Sequence, residues 1–271
     1  MDCTLSSALR LKHHPVALLW TNDKPTDALQ FHQDKWGCVM AMFAQAATGK
    51  TAVFDRQTFG CLGGGVGLGF GNQYVHWRGG IECFYGFLSN GNADRADASE
   101  IAEQIARTGR KVSVERFLHG EGLVKSPELA RVFVDSMPMV DIAERYVVFK
   151  PLSSVDESKE QPQVVIFPVN ADQLSALVSL ANYNRGTLDA VTIQPVAGCQ
   201  SIGILAYEEA ISERPRAVIG LTDIAARTYT APTLGHDILT FAVPLKMFHE
   251  MESNVQGSFL EKETWHSLTG S

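Results

Sequence analysis

The residues best suited to chemistry in this chain are five cysteines, Cys3, Cys38, Cys61, Cys83 and Cys199. A thiolate is both a nucleophile and a ligand for soft metals. No Cys-x-x-Cys pair occurs, so the spacing excludes compact zinc ribbons and ferredoxin-type cluster loops. There is no Gly-x-Ser-x-Gly elbow, and Phe248-His249-Glu250 lacks the second histidine of a zinc-protease helix. Three cysteines share a context. Cys38 follows Trp36-Gly37 near a helix start, Cys61 precedes a glycine run, and Cys199 lies within Ala197-Gly198-Cys199-Gln200-Ser201-Ile202-Gly203. Three thiolates converging from distant loops can hold a transition metal or an iron–sulfur cluster with one position open. Free cysteine is also among the most buried residue types and often only packs. A third use is a thiol enzyme, with Cys61 as nucleophile and a base such as His76 or His236 brought to it in space. The adjacent pair His13-His14 points to opposite faces of a strand and is a poor joint ligand.

The stretch Trp36–Gly71 must position two of these thiols. Val39, Met40, Met42, Phe43, Ala46 and Ala47 recur at helical spacing, with Gly49 as the stop, and Thr51–Phe54 reads as a strand. Glycines then occupy every second position from Gly63 to Gly71. An extended chain would leave their face bare, with Gly64, Val66, Leu68 and Phe70 on the other. Each glycine costs roughly 0.5–1 kcal/mol in backbone entropy, so a bare face implies that something approaches closely. That something is either a packed helix or strand, or a cofactor or substrate beside Cys61. The run fits no dinucleotide fingerprint, and Gly49-Lys50-Thr51 is no P-loop, because Ala44 replaces its leading glycine and the order is helix then strand.

Composition narrows the class. The chain has 271 residues, 45% hydrophobic and 20% charged, ordinary values for a globular protein. A net charge of −7 argues against nucleic acid or an anionic membrane surface as partner. No run of about 18 apolar residues exists to span a membrane, and the first ten residues lack a signal-peptide pattern. An odd number of dispersed cysteines then predicts reduced thiols and a cytoplasmic location.

Along the rest of the chain, a short helix at Thr4–Leu11 leads to a strand at Val16–Trp20, and turn residues Asn22-Asp23-Lys24-Pro25 follow. The aromatic run Cys83-Phe84-Tyr85-Gly86-Phe87 lines a ligand pocket or lids the core. Helices are expected over Asp97–Thr108 and from Ser126-Pro127. Strands are expected at Tyr146–Lys150, Val164–Val169, Ala190–Gln194, Ile202–Tyr207, Ala217–Leu221 and Ile238–Val243. Asn170 caps a helix to about Asn182, Thr222-Asp223 caps a short one at Ile224–Arg227, and Pro244 opens the last, Leu245–Met251. The irregular alternation predicts an α+β or mixed α/β fold, a mixed sheet with flanking helices. The whole chain, 1–271, reads as one domain, with a subdomain boundary, if any, in the polar segment 151–163.

Cys38 with its alanine-rich helix and Gly49, then Phe59-Gly60-Cys61-Leu62-Gly63-Gly64 and Leu68-Gly69-Phe70, resemble the uncharacterised prokaryotic family called domain of unknown function 169. The resemblance continues at Gly198-Cys199 with Ser201 and Gly203, at Leu221-Thr222-Asp223-Ile224 with Arg227, and at Phe241-Ala242-Val243-Pro244. It spans about Leu11 to Met251 and carries no mechanism. It does favour Cys38, Cys61 and Cys199 over Cys3, which lies outside it, and over Cys83, which is not part of its pattern. The resulting expectation is a cytoplasmic protein binding a metal or iron–sulfur cofactor through Cys38, Cys61 and Cys199. Gly63, Gly65, Gly67 and Trp36 would lie against the cofactor, with Phe84 and Tyr85 as further shielding. The alternatives are a cofactor-free small-molecule binding protein and the thiol enzyme using Cys61.

Overall fold

The computed structural model describes residues 1–33, 35–107 and 111–270. Two compact units emerge: Met1–Phe70 together with Val140–Ser271, and an inserted unit, Gly71–Met139. The first unit is built on one sheet of seven strands among the described residues: β1 (Val16–Thr21), β2 (Ala52–Phe54), β3 (Tyr146–Pro151), β4 (Val164–Val169), β5 (Val191–Ile193), β6 (Ala217–Gly220) and β7 (Leu239–Pro244). Their order is β2-β3-β1-β4-β7-β6-β5, antiparallel throughout except for the parallel pair β5–β6. With helices on both faces, this is an α+β fold with a mixed sheet.

Two-residue alternation explains why both faces need cover. In β1, Val16, Leu18 and Trp20 enter one core while Ala17 and Leu19 enter the other. The second core is roofed by α1 (Thr4–Ala8) and by helices from the end of the chain. The first is roofed by α2 (Val39–Ala46) and α3 (Leu62–Leu68). The inserted unit holds α4 (Ile81–Leu88), α5 (Ala98–Ala106), α6 (Lys111–His119) and α7 (Pro127–Asp135). Its own small core contains Cys83, Ile101 and Phe117, and Phe84 stacks on Tyr74 with ring centroids 4.1 Å apart. Back in the first unit come α8 (Ala171–Ala181), α9 (Gly198–Ile202), α10 (Ile204–Ala210), α11 (Ile224–Leu234), α12 (Leu245–Ser253) and α13 (Glu263–Thr269). Asn170 caps α8 in a capping box with Gln173, as its sequence context predicts.

Three elements differ from the sequence reading. The glycine run is a helix, not a strand: α3 is capped by Cys61 and ended by Gly69 in the left-handed conformation (φ 88°). The segment Ile202–Tyr207 is the junction of α9 and α10, broken at Gly203 (φ −100°, ψ −97°), not a strand. The short helix after Asp223 continues to Leu234, well past Arg227. The expected helix at Asp97–Thr108 appears as α5, although Thr108 lies outside the described residues. The polar segment 151–163 lies in the first unit and includes a single 3-10 turn, Leu152–Ser154. No helix among the described residues is long and apolar enough to cross a membrane.

Candidate thiol site

Cys38 and Cys61 occupy the same kind of position, each the N-cap of a helix. Glycine lets the two caps approach. A Cβ on Gly60 would lie 2.5 Å from the Gly37 carbonyl oxygen, so the chain segments just before the two cysteines touch. Both glycines also press on the ring of Phe31, which a Cβ at Gly37 would meet at 2.0 Å. Gly60 has φ +79°, a conformation that side chains with a Cβ rarely adopt.

Cys199 joins them from the other half of the chain. It lies in the first turn of α9, which crosses α3 at its glycines. A Cβ on Gly67 would come within 2.7 Å of the Cys199 carbonyl carbon, and one on Gly203 within 1.8 Å of the Gly67 oxygen. Gly67 therefore has a packing role: it lets two helix backbones meet. Packing against α9 overrides the poor helix propensity of a Leu-Gly-Gly-Gly-Val-Gly-Leu segment.

One peptide unit links two of the sulfurs. The Gly64 N–H donates to Cys61 Sγ (3.2 Å), and Cys199 Sγ donates to the Gly63 carbonyl (3.3 Å). These are the two ends of the Gly63–Gly64 peptide, so the sulfurs lie no more than about 9 Å apart. They sit on opposite sides of that peptide, whereas thiolates sharing one ion approach to roughly 4 Å.

Electrostatics ties in Cys38 and a fourth group. Burial pushes the Cys199 thiol well above its ordinary range, and the neighbouring Cys61, Cys38 and Asp223 push it further. Burial also raises Cys38, the amides of Ala41 and Met40 pull it back, and Asp223 raises it again. Each effect is physically expected, since a second negative charge is costly in a half-dry site. Asp223 is the N-cap of α11, where its Oδ1 accepts from Ala225 (2.9 Å) and Ala226 (3.2 Å). Its Oδ2 accepts from the Gly198 N–H at 3.4 Å, just ahead of Cys199. Four helix starts thus meet at this site.

The structure brings Cys38, Cys61 and Cys199 together. Among the described residues, however, no group of three or more His, Cys, Asp or Glu is placed to hold a metal ion. Trp36 stands two residues before Cys38, 42% exposed, with its ring 5.3 Å from that of Tyr229 on α11. Gly63 and Gly65 belong to α3 together with Gly67. Phe84, Tyr85 and His76 belong to the inserted unit. The His236 carbonyl accepts from Arg227. Cys83 is wholly buried in the core of the inserted unit, and Cys3 lies beside Glu252 in the first unit. A cleft of about 500 Å³ in the first unit, lined by residues including Trp20, Asp23, Lys159 and Glu160, contains none of the cysteines. Asp223 is the site residue that sequence reasoning missed. Its capping signal was legible, but its second oxygen reaching Gly198 was not.

The fold is α+β, and Cys38, Cys61 and Cys199 come together where helix starts meet. The model of the family described as uncharacterised ArCR, domain of unknown function 169, matches residues 4–254, and the chain belongs to that family. No curated protein and no solved structure matches the chain.

Proposed function

We propose that this is a thiol-dependent protein in which Cys61 is the reactive sulfur and Cys38 and Cys199 are its neighbouring thiols, acting on a small disulfide or other thiol-reactive molecule. The observation that carries this reading is the division of roles along one peptide. Cys61 accepts the Gly64 N–H, the arrangement that stabilises an anionic sulfur, while Cys199 donates its proton to the Gly63 carbonyl. Cys61 is also partly exposed, whereas Cys199 is 7% exposed. A reactive sulfur needs access as well as charge.

Ligation of a metal or iron–sulfur cofactor by Cys38, Cys61 and Cys199 is the competing reading. It is less well supported, because the Gly63–Gly64 peptide separates two of the three sulfurs. The deciding experiment is anaerobic purification of the reduced protein, iron and acid-labile sulfide analysis, then challenge with an aromatic disulfide and peptide mapping. The expected result is negligible iron and a mixed disulfide formed first on Cys61. Bound iron with matching labile sulfide would overturn this in favour of a cluster, and first modification at another cysteine would remove Cys61 from its role.

A further inference from the structure

Asp223 does more than an N-cap requires. A capping side chain needs one acceptor oxygen, and Oδ1 fills that role on Ala225 and Ala226. The other oxygen bonds the first amide of a different helix, that of Gly198 in α9. The chain holds this carboxylate in place at some cost. Leu221, two residues earlier and 1% exposed, has φ +61°, a left-handed conformation that is unfavourable for a leucine. Arg227, one turn into α11, secures that turn by donating to the carbonyls of Leu221 (3.2 Å), Ile238 (3.0 Å) and His236. On its other side α9 lies directly on β6, since a Cβ at Gly220 would fall 1.9 Å from Ser201 Oγ. The Cys199 turn is therefore fixed at three points: Gly67 of α3, Gly220 of β6 and Asp223 of α11.

We propose that Asp223 is a positioning residue of the thiol site, its carboxylate locking the start of α9, and with it Cys199, to the start of α11 while facing Cys38 and Cys199 with a fixed negative charge. This rests on the thiol reading above and assigns the site a fourth member. The charge has few competitors. The segments α2, α3, α9, β2, β6 and β7 carry no charged residue, and Lys150 of β3 is paired with Glu160. On α10, Glu209 is paired with Arg216 and Tyr207 packs on Trp20, leaving Glu208 as its other ionisable group. On α11, Arg227 keeps its positive charge while donating to carbonyls and is the one cation on that helix, and Tyr229 packs against Trp36. Among the described residues, Cys61, Cys38 and Asp223 act on Cys199. A carboxylate there disfavours ionisation of Cys38 and Cys199.

Asp223→Asn separates the two roles, because asparagine caps α11 as well as aspartate does but offers no second acceptor and no charge. The experiment is peptide-resolved alkylation of the full chain with iodoacetamide from pH 6 to 11, with thermal unfolding as a check on the fold. In Asp223→Asn, the pH at half-maximal rate for Cys38 and Cys199 should fall, and Cys199 should react several-fold faster at every pH. Asp223→Glu, which restores the charge, should move the Cys38 midpoint back toward that of the wild type. Loosening alone would also lower the Cys199 midpoint by exposing that buried thiol, so the Cys38 midpoint, and its return in Asp223→Glu, separate the charge from a merely structural role. An unchanged Cys38 midpoint in a folded Asp223→Asn protein would overturn the proposal. Should Asp223→Asn fail to fold, the Asp223→Glu and wild-type profiles decide, and a Glu variant with wild-type rates at Cys199 would count against the lock. The thiol reading itself fails on a different arm, the wild-type protein, if Cys61 is not the fastest cysteine.

Discussion

Gly67→Ala probes the crossing on which the site depends. In an isolated helix this change is favourable by about 1 kcal/mol, because glycine is a poor helix former. Here the added methyl would lie 2.7 Å from the Cys199 carbonyl carbon and 2.9 Å from both its oxygen and its sulfur. Two of those atoms are backbone and cannot rotate away, so α9 must move as a body. Overpacking costs about 1–3 kcal/mol, and against backbone atoms closer than 3.0 Å the upper part of that range applies, about 2–3 kcal/mol. The net expectation is a loss of about 1–2 kcal/mol, a fall in Tm of roughly 2–8 °C for a chain of this size. Thermal unfolding followed by circular dichroism measures it, and alkylation of Cys199 should become faster as α9 lifts. A Tm equal to or above that of the wild type would show that α3 and α9 are not in backbone contact, and the placement of Cys199 beside Cys61 would fall with it.

Other outcomes follow from the same geometry. Gly60→Ala forces a side chain into a left-handed conformation, at about 1–2 kcal/mol, and against the Gly37 oxygen 2.5 Å away; unfolding should show a loss of at least about 2 kcal/mol. Arg227→Lys replaces a fork that reaches three carbonyls by a single ammonium, so stability should drop by about 1–3 kcal/mol in denaturant titrations. Burial, with Glu252 adding to it, pushes Cys3 from its ordinary 9.0 up to about 12. The folded state thus keeps a proton that the unfolded chain releases, so this contribution is complete below about pH 9 and is lost as the pH climbs toward 12. The slope of Tm against pH between 9 and 11 should be shallower in Cys3→Ala, and an unchanged slope would count against that burial.

The sheet was largely legible in the sequence. Val164–Val169 is a continuous apolar run followed at once by a capping asparagine, and both signals are local. The glycine run was not, and the reason is physical. Glycines two apart leave one face of a strand bare, but positions four apart also share a helix face, so Gly63 and Gly67 suit either geometry. Local propensity disfavours a helix there, and only α9, more than a hundred residues away, tips the balance. Ile202–Tyr207 failed similarly, because a short, fully apolar segment has no period that separates strand from buried helix. Glycine beside each of Cys38, Cys61 and Cys199 was a usable sign of close backbone approach. What approached was other backbone, and the role of the Gly63–Gly64 peptide between two sulfurs had no trace in spacing.

The most direct measurement is the residue-resolved rate of alkylation in the native, reduced, wild-type protein at neutral pH. Cys61 should react first, Cys38 more slowly, and Cys199, which is buried and donates to the Gly63 carbonyl, only on a timescale approaching that of unfolding. Cys199 reacting as fast as Cys61, or Cys61 remaining inert while Cys38 is consumed, would contradict the assignment of Cys61 as the working thiol of a shared site.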